Sequence, residues 1–157
     1  MTGLGLPLTA LVVGTPLMVG GAPAAADEGP SPRPKLSEFR FAPQPLTPGQ
    51  TGFFSFITTR EGGATITLER QLAGRRAPTG GGCVAPRQAP RGASCLRALP
   101  AGRLRFAADA GEARKRFNGR IGGKALAAGR YRATLLILND AFGDSDPARL
   151  TLRIAAK

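Results

Sequence analysis

The stretch GRYRATLLILND (Gly129–Asp140) sets Tyr131, Ala133, Leu135 and Ile137 at every second position. That is the period of a strand with one buried face, and it excludes a helix there. Six further stretches repeat it. EFRFA (Glu38–Ala42) puts Phe39 and Phe41 on one face, and TGFFSFITT (Thr51–Thr59) does so with Phe54, Phe56 and Thr58. ATITLERQLA (Ala64–Ala73) aligns Ile66, Leu68 and Arg70, with Thr65, Thr67 and Glu69 turned away. GRLRFAA (Gly102–Ala108) places Leu104 and Phe106 inward and Arg103 and Arg105 outward. ARKRFNGRI (Ala113–Ile121) reads as one strand with Lys115, Phe117, Gly119 and Ile121 together, and ARLTLRI (Ala148–Ile154) buries Leu150, Leu152 and Ile154. TPGQ, EGG and GDSDP between these stretches have turn chemistry. No stretch keeps a period of 3.6 over three turns, and IGGKALAAG (Ile121–Gly129) has room for one helical turn at most. With 22 glycines and 14 prolines in 157 residues, short strands and many turns predict an antiparallel β-sandwich of about seven strands. One domain over residues 37–157 is expected.

Residues 1–26 carry no charged side chain. Their apolar run ends in Ala24-Ala25-Ala26 before Asp27-Glu28, the pattern of a secretory signal peptide without its positive leading region. A retained membrane anchor is the other reading, but the run is short and interrupted by Pro16. Residues 27–36, DEGPSPRPKL, are proline-rich with little to bury, so a disordered linker is expected. The expected location is secreted or cell-surface associated, with no stable membrane span after cleavage.

Cys83 and Cys95 are the only cysteines. Outside the cytosol such a pair oxidises. Zinc would need further ligands, yet the chain has no histidine and the intervening loop has no acid. A Cys-x-x-Cys redox motif is absent. A structural disulfide is expected, with free thiols or an intermolecular bond as alternatives. Closing a loop of this size stabilises by roughly 3 kcal/mol in the chain-entropy model.

Three motifs in order, ATITLERQLAGRR, then the cysteine pair around Pro and Arg, then RKRFNGRIGGKALAAGRYRATLLILNDAFGDSD, carry a resemblance. The chain resembles immunoglobulin-like or fibronectin type III-like domains of exported, uncharacterised actinobacterial proteins, from about Leu36 to Ile154. Ala128 departs from the usual proline there, and LNDAFGDSD departs from the usual turn. The resemblance implies an immunoglobulin-like sandwich, and the family has no established activity to carry over. It also implies a tyrosine corner at Tyr131, the only tyrosine, its hydroxyl bonded to upstream backbone. A ligand-stacking role is the alternative for that ring.

Without histidine, Ser–His and Cys–His nucleophiles are impossible. The acids of the domain are Glu38, Glu61, Glu69, Asp109, Glu112, Asp140, Asp144 and Asp146, mostly in turns or beside arginines. No enzyme activity and no cofactor are expected. Asn139, Asp140, Asp144 and Asp146 form a weak Ca²⁺ candidate, against which stands an ordinary Asx-rich turn.

The net charge is +12, most of it arginine. Basicity of this size suggests acidic partners. The codon bias of a GC-rich genome would raise Arg, Ala, Gly and Pro together and produce the same excess. Arg103, Arg105, Arg114, Arg116, Arg130 and Arg132 fall at alternate positions and would form an arginine ladder if their strands were neighbours. Such a face could hold an acidic cell-envelope polymer or an envelope protein through its carboxylates and phosphates. Nucleic acid is not expected, because few aromatics interleave with these arginines. Two functions remain: a structural or protein-interaction module at the cell envelope, and a binder of acidic envelope polymers. Clustering of the arginines on one face separates the second from the first.

Overall fold

A computed structural model describes residues 32–47, 49–78 and 80–156. The signal-peptide reading of residues 1–26, and the first half of the linker, lie outside the described residues. Ten strands and no helix are found among them. Seven strands are long: β1 (Leu36–Ala42), β2 (Gly52–Thr58), β3 (Gly62–Arg76), β5 (Ser94–Ala108), β6 (Gly111–Phe117), β9 (Gly129–Leu138) and β10 (Ala148–Ile154). Three have two residues each: β4 (Cys83–Val84), β7 (Arg120–Ile121) and β8 (Lys124–Ala125).

All strand pairing is antiparallel within two principal sheets and one small hairpin. One sheet runs β1-β2-β6. The other runs β10-β9-β3-β4, with β5 on the free side of β3. Both contribute their alternate apolar side chains to a single core. Phe41, Phe54, Phe56 and Phe117 come from the first sheet, and Ile66, Leu68, Tyr131, Leu135, Ile137 and Leu152 from the second. Phe54 is fully buried and its ring lies 4.7 Å from that of Phe41 and 5.5 Å from that of Phe117. Truncating it to alanine is expected to cost about 3–5 kcal/mol, the usual range for a buried Phe.

Local sequence explains four departures from the expected elements. The spacer expected over 27–36 ends early. Pro34 is fully buried, the Lys35 amide donates to Thr59 Oγ1, and the Thr59 amide donates back to the Lys35 carbonyl. Pro34 and Lys35 are therefore part of the folded body. The single strand expected over 113–121 stops at Phe117, because Asn118 Oδ1 accepts the Arg120 amide and Gly119 takes φ +76°. The possible helical turn after Ile121 is instead the β7–β8 hairpin, whose two connecting residues Gly122 and Gly123 both have positive φ. Finally, β5 is about twice as long as expected and β3 runs past its expected ends at both sides, each reaching 15 residues. Their pairing runs from Gly62↔Ala108 to Arg75↔Ser94, with one bulge after Leu68.

Pairing of β3 with β9 ends at Gln71↔Arg130, so the far end of the β3–β5 ribbon carries on as an arm. There β4 joins it through Val84 and Cys83. The Cys83–Cys95 disulfide is formed, with Cα atoms 6.0 Å apart. It packs on Gly74, where a Cβ would come within 2.5 Å of Cys83 Sγ. Only glycine fits that position without displacing the bridge.

Candidate functional site

The register of the second sheet fixes which side chains share its outer face. Core residues Ala64, Ile66 and Leu68 on β3, and Tyr131, Ala133, Leu135 and Ile137 on β9, turn their odd or even neighbours to the opposite side. Cross-strand partners then give rows running across the sheet. Arg105, Thr65 and Leu136 form one row; Arg103, Thr67, Thr134 and Arg149 form the next. Glu69, Arg132 and Thr151 follow, and then Gln71, Arg130 and Arg153. At the opposite end stand Ala107, Gly63 and Leu138.

Six guanidiniums thus share one face with a single carboxylate, Glu69. Arg132 takes that carboxylate through Nε at 2.9 Å and a terminal nitrogen at 2.6 Å. No carboxylate among the described residues is bonded to Arg103, Arg105, Arg130, Arg149 or Arg153. Neighbouring strands lie about 4.8 Å apart and alternate residues about 6.7 Å apart. Those spacings fall within a Debye length at physiological salt, so the charges reinforce one another. Threonine hydroxyls of Thr65, Thr67, Thr134 and Thr151 lie among them, and no aromatic ring does.

Four of the six arginines singled out in the sequence, Arg103, Arg105, Arg130 and Arg132, belong to this face. Arg114 and Arg116 do not. They lie on β6, opposite Ser55 and Phe53 of β2, on the outer face of the other sheet. Strands β5 and β6 are consecutive in the chain but sit in different sheets, so the ladder expected across them does not form. Arg114 instead stacks over Phe53 at 4.7 Å, and Arg116 donates to Thr51 Oγ1. The sequence reading passed over Arg149 and Arg153. Their signal was visible in ARLTLRI, where they alternate with the buried Leu152 and Ile154.

The other candidates are positioned as follows. Tyr131 is buried, and its hydroxyl donates to the Ala127 carbonyl at 2.6 Å. Burial pushes its phenol above the ordinary value of 10.0, with the Arg70 guanidinium acting weakly in the opposite direction. Asn139 Oδ1 accepts the amides of Ala141 and Phe142, and its Nδ2 donates to the Glu61 carbonyl. Its side chain is thereby committed to the turn. Asp140, Asp144 and Asp146 are exposed, and the described residues contain no cluster of three or more Asp, Glu, Cys or His placed to hold a metal ion.

No protein-family model matches the chain, and no curated protein matches it. Among solved structures it is similar to the sporulation control protein Spo0M from Bacillus subtilis, with a TM-score of 0.45 and 8% identity. That match covers 80% of this chain and 50% of Spo0M. It is also similar to the alkylpurine DNA glycosylase AlkC of Pseudomonas fluorescens, bound to DNA containing an abasic site analog. There the TM-score is 0.37 and identity 16%, over 79% of this chain and 31% of that one. The chain spans half the length of the first and less of the second, and likenesses of this degree carry no functional argument.

Proposed function

We propose that this chain is an exported, non-catalytic immunoglobulin-like module that holds an acidic polymer of the cell envelope on the outer face of its five-stranded sheet. One observation carries the reading: Arg103, Arg105, Arg130, Arg132, Arg149 and Arg153 share that face with Glu69 alone. Compositional bias scatters arginines over a surface, whereas here cross-strand register gathers six of them on one face. Guanidiniums pair with both carboxylates and phosphates, so the shared chemistry is a repeating anion. A flat, multi-strand array suits a chain of charges better than one small ligand.

The immunoglobulin-like reading is supported by strand order. With the two-residue strands set aside, β1, β2 and β6 correspond to strands A, B and E, and β10, β9, β3 and β5 to G, F, C and C′. That grouping supports a fibronectin type III-like arrangement. The Tyr131 hydroxyl bond to Ala127, at the start of the F-like strand, supports it further. Export is supported by the charge-free residues 1–26 and by the disulfide, a bond that persists in oxidising compartments.

The test is retention of the purified protein on envelopes of its own source cells, titrated with salt. Retention that falls steeply with salt, and is lost in Arg103→Glu/Arg105→Glu/Arg149→Glu/Arg153→Glu, is the expected result. The pair Arg114→Glu/Arg116→Glu, which changes charge by as much as Arg103→Glu/Arg105→Glu but on the other sheet, is expected to stay bound where Arg103→Glu/Arg105→Glu is weakened. Equal loss in both variants would reduce the face to generic basicity, and no retention at low salt would end the polymer reading.

A further inference from the structure

The outer face of the five-stranded sheet is not polar throughout. Outward positions on antiparallel strands are ordinarily polar, and Thr65, Thr67, Thr134 and Thr151 obey that rule. Strand β9 then breaks it: Leu136 and Leu138 both point outward, and Leu138 is 42% exposed. Across the sheet from Leu138 stand Gly63, which has no side chain, and Ala107. These residues and Pro147 line an open depression of about 940 Å³. Thr65, Thr67 and Thr134 belong to the same lining, and Arg103 and Arg105 stand on its β5 side. The row Arg105, Thr65, Leu136 therefore passes from guanidinium to hydroxyl to isobutyl group within three strands.

A purely hydrophilic polyanion would use the arginines and leave the leucine end wet. A ligand in which an acidic group is joined to an alkyl chain uses both. Resting on the polymer reading above, we infer that the ligand of this face is amphiphilic: an acidic polymer carrying an alkyl chain, its anions on Arg103 and Arg105 and its chain in the depression over Gly63, Leu136 and Leu138. Apolar surface and fixed cations in one continuous patch are the combination that recognises such anionic amphiphiles. Gly63 supplies the opening. A Cβ there would meet only Leu138, at 3.9 Å, so a larger side chain would project into the depression without a clash at its base.

The experiment compares n-decyl phosphate, below its micellar concentration, with methyl phosphate, and uses long-chain polyphosphate as the plain polyanion. Binding is read by calorimetry and by amide chemical shifts of the intact disulfide-bonded protein. Decyl phosphate is expected to bind at least tenfold more tightly than methyl phosphate, with shifts centred on Gly63, Leu136 and Leu138. Gly63→Val and Leu138→Ser each are expected to remove most of that gain while leaving polyphosphate affinity within about twofold. Both positions are outward-facing, so the variants should fold, and their thermal midpoints check this. Equal binding of decyl and methyl phosphate, with polyphosphate still bound and lost in Arg103→Glu/Arg105→Glu, would overturn the amphiphile and leave the polymer reading standing. Failure of polyphosphate to bind at low salt would overturn the polymer reading and this inference with it.

Discussion

Arg130 on β9 and Arg153 on β10 stand directly opposite each other on the same sheet face, and among the described residues no carboxylate is bonded to either. Like charges in directly opposed cross-strand positions destabilise a sheet, by roughly 0.2–1 kcal/mol. The pair is therefore a stability cost that an anion bridging the two guanidiniums would relieve. Arg153→Glu replaces repulsion by a cross-strand ion pair. It is expected to raise the thermal midpoint of the free protein by a few degrees, as a gain of up to about 1 kcal/mol implies, and to weaken retention on polyanion. A variant that gained stability without losing binding would show that the pair takes no part in the ligand site.

Glu69 is the only acid among these arginines, and it holds Arg132 through two nitrogens. Both side chains are partly exposed, so the pair contributes on the order of 0–1 kcal/mol. Removing the carboxylate frees one guanidinium and lifts the net charge of the face. Glu69→Gln is expected to lower the midpoint by a few degrees at most, while raising polyanion affinity several-fold at low salt. The gain should shrink as salt rises. Side-by-side calorimetry of wild type and variant with polyphosphate checks both halves.

The residues that made this fold legible are those whose environment is set by immediate neighbours. In β2, β9 and β10 strict alternation identified Phe54, Phe56, Tyr131, Leu135, Ile137 and Leu152 as core, and all are buried. Legibility failed where partners decide. The far ends of β3 and β5, from Gly74 to Arg76 and from Ser94 to Ala101, carry Gly74, Pro100 and adjacent arginines, and no apolar period. They are strands because each supplies the other's hydrogen bonds, a nonlocal cause. The arginine face failed in part for the same reason. The Asp109-Ala110 link between β5 and β6 looks like a hairpin turn, but it carries the chain from one sheet to the other. Nothing local distinguishes the two outcomes, so alternation alone does not say which sheet carries Arg114 and Arg116.

The arm beyond Gln71 depends on its own ladder and on the Cys83–Cys95 bridge, since β9 no longer pairs with β3 there. Cys83→Ser/Cys95→Ser is expected to open the arm without melting the body. Amide exchange should speed up by tenfold or more at Gly74–Arg76 and Ser94–Arg97, and stay protected at Ile66 and Leu135. If the arm opens locally, the thermal midpoint moves by no more than about 5 °C, a shift worth roughly 1 kcal/mol in a domain of this size. The roughly 3 kcal/mol of loop-closure entropy would appear in full only if arm and body unfolded together. A large midpoint drop with uniform loss of protection would show the arm to be integral to the core.

Tyr131 links the core to the backbone upstream of β9, and its titration offers a measure of that link. The phenol is buried, which penalises the phenolate and raises its pKa above 10.0 in the folded protein. The folded state then holds its proton at pH values where the unfolded chain has released it. By linkage, the contribution of this group is fully present below pH 10 and is lost as pH climbs through the folded pKa. Stability should therefore fall more steeply above pH 10 in wild type than in Tyr131→Phe. The variant is expected to be weaker by about 1 kcal/mol at neutral pH, because the Ala127 carbonyl loses its donor. With one tyrosine and no tryptophan, ultraviolet absorbance of the phenolate reports this residue alone. An apparent midpoint at or below 10 in the folded protein would mean that the hydroxyl is open to water, and that its bond to Ala127 does not hold the β8–β9 turn.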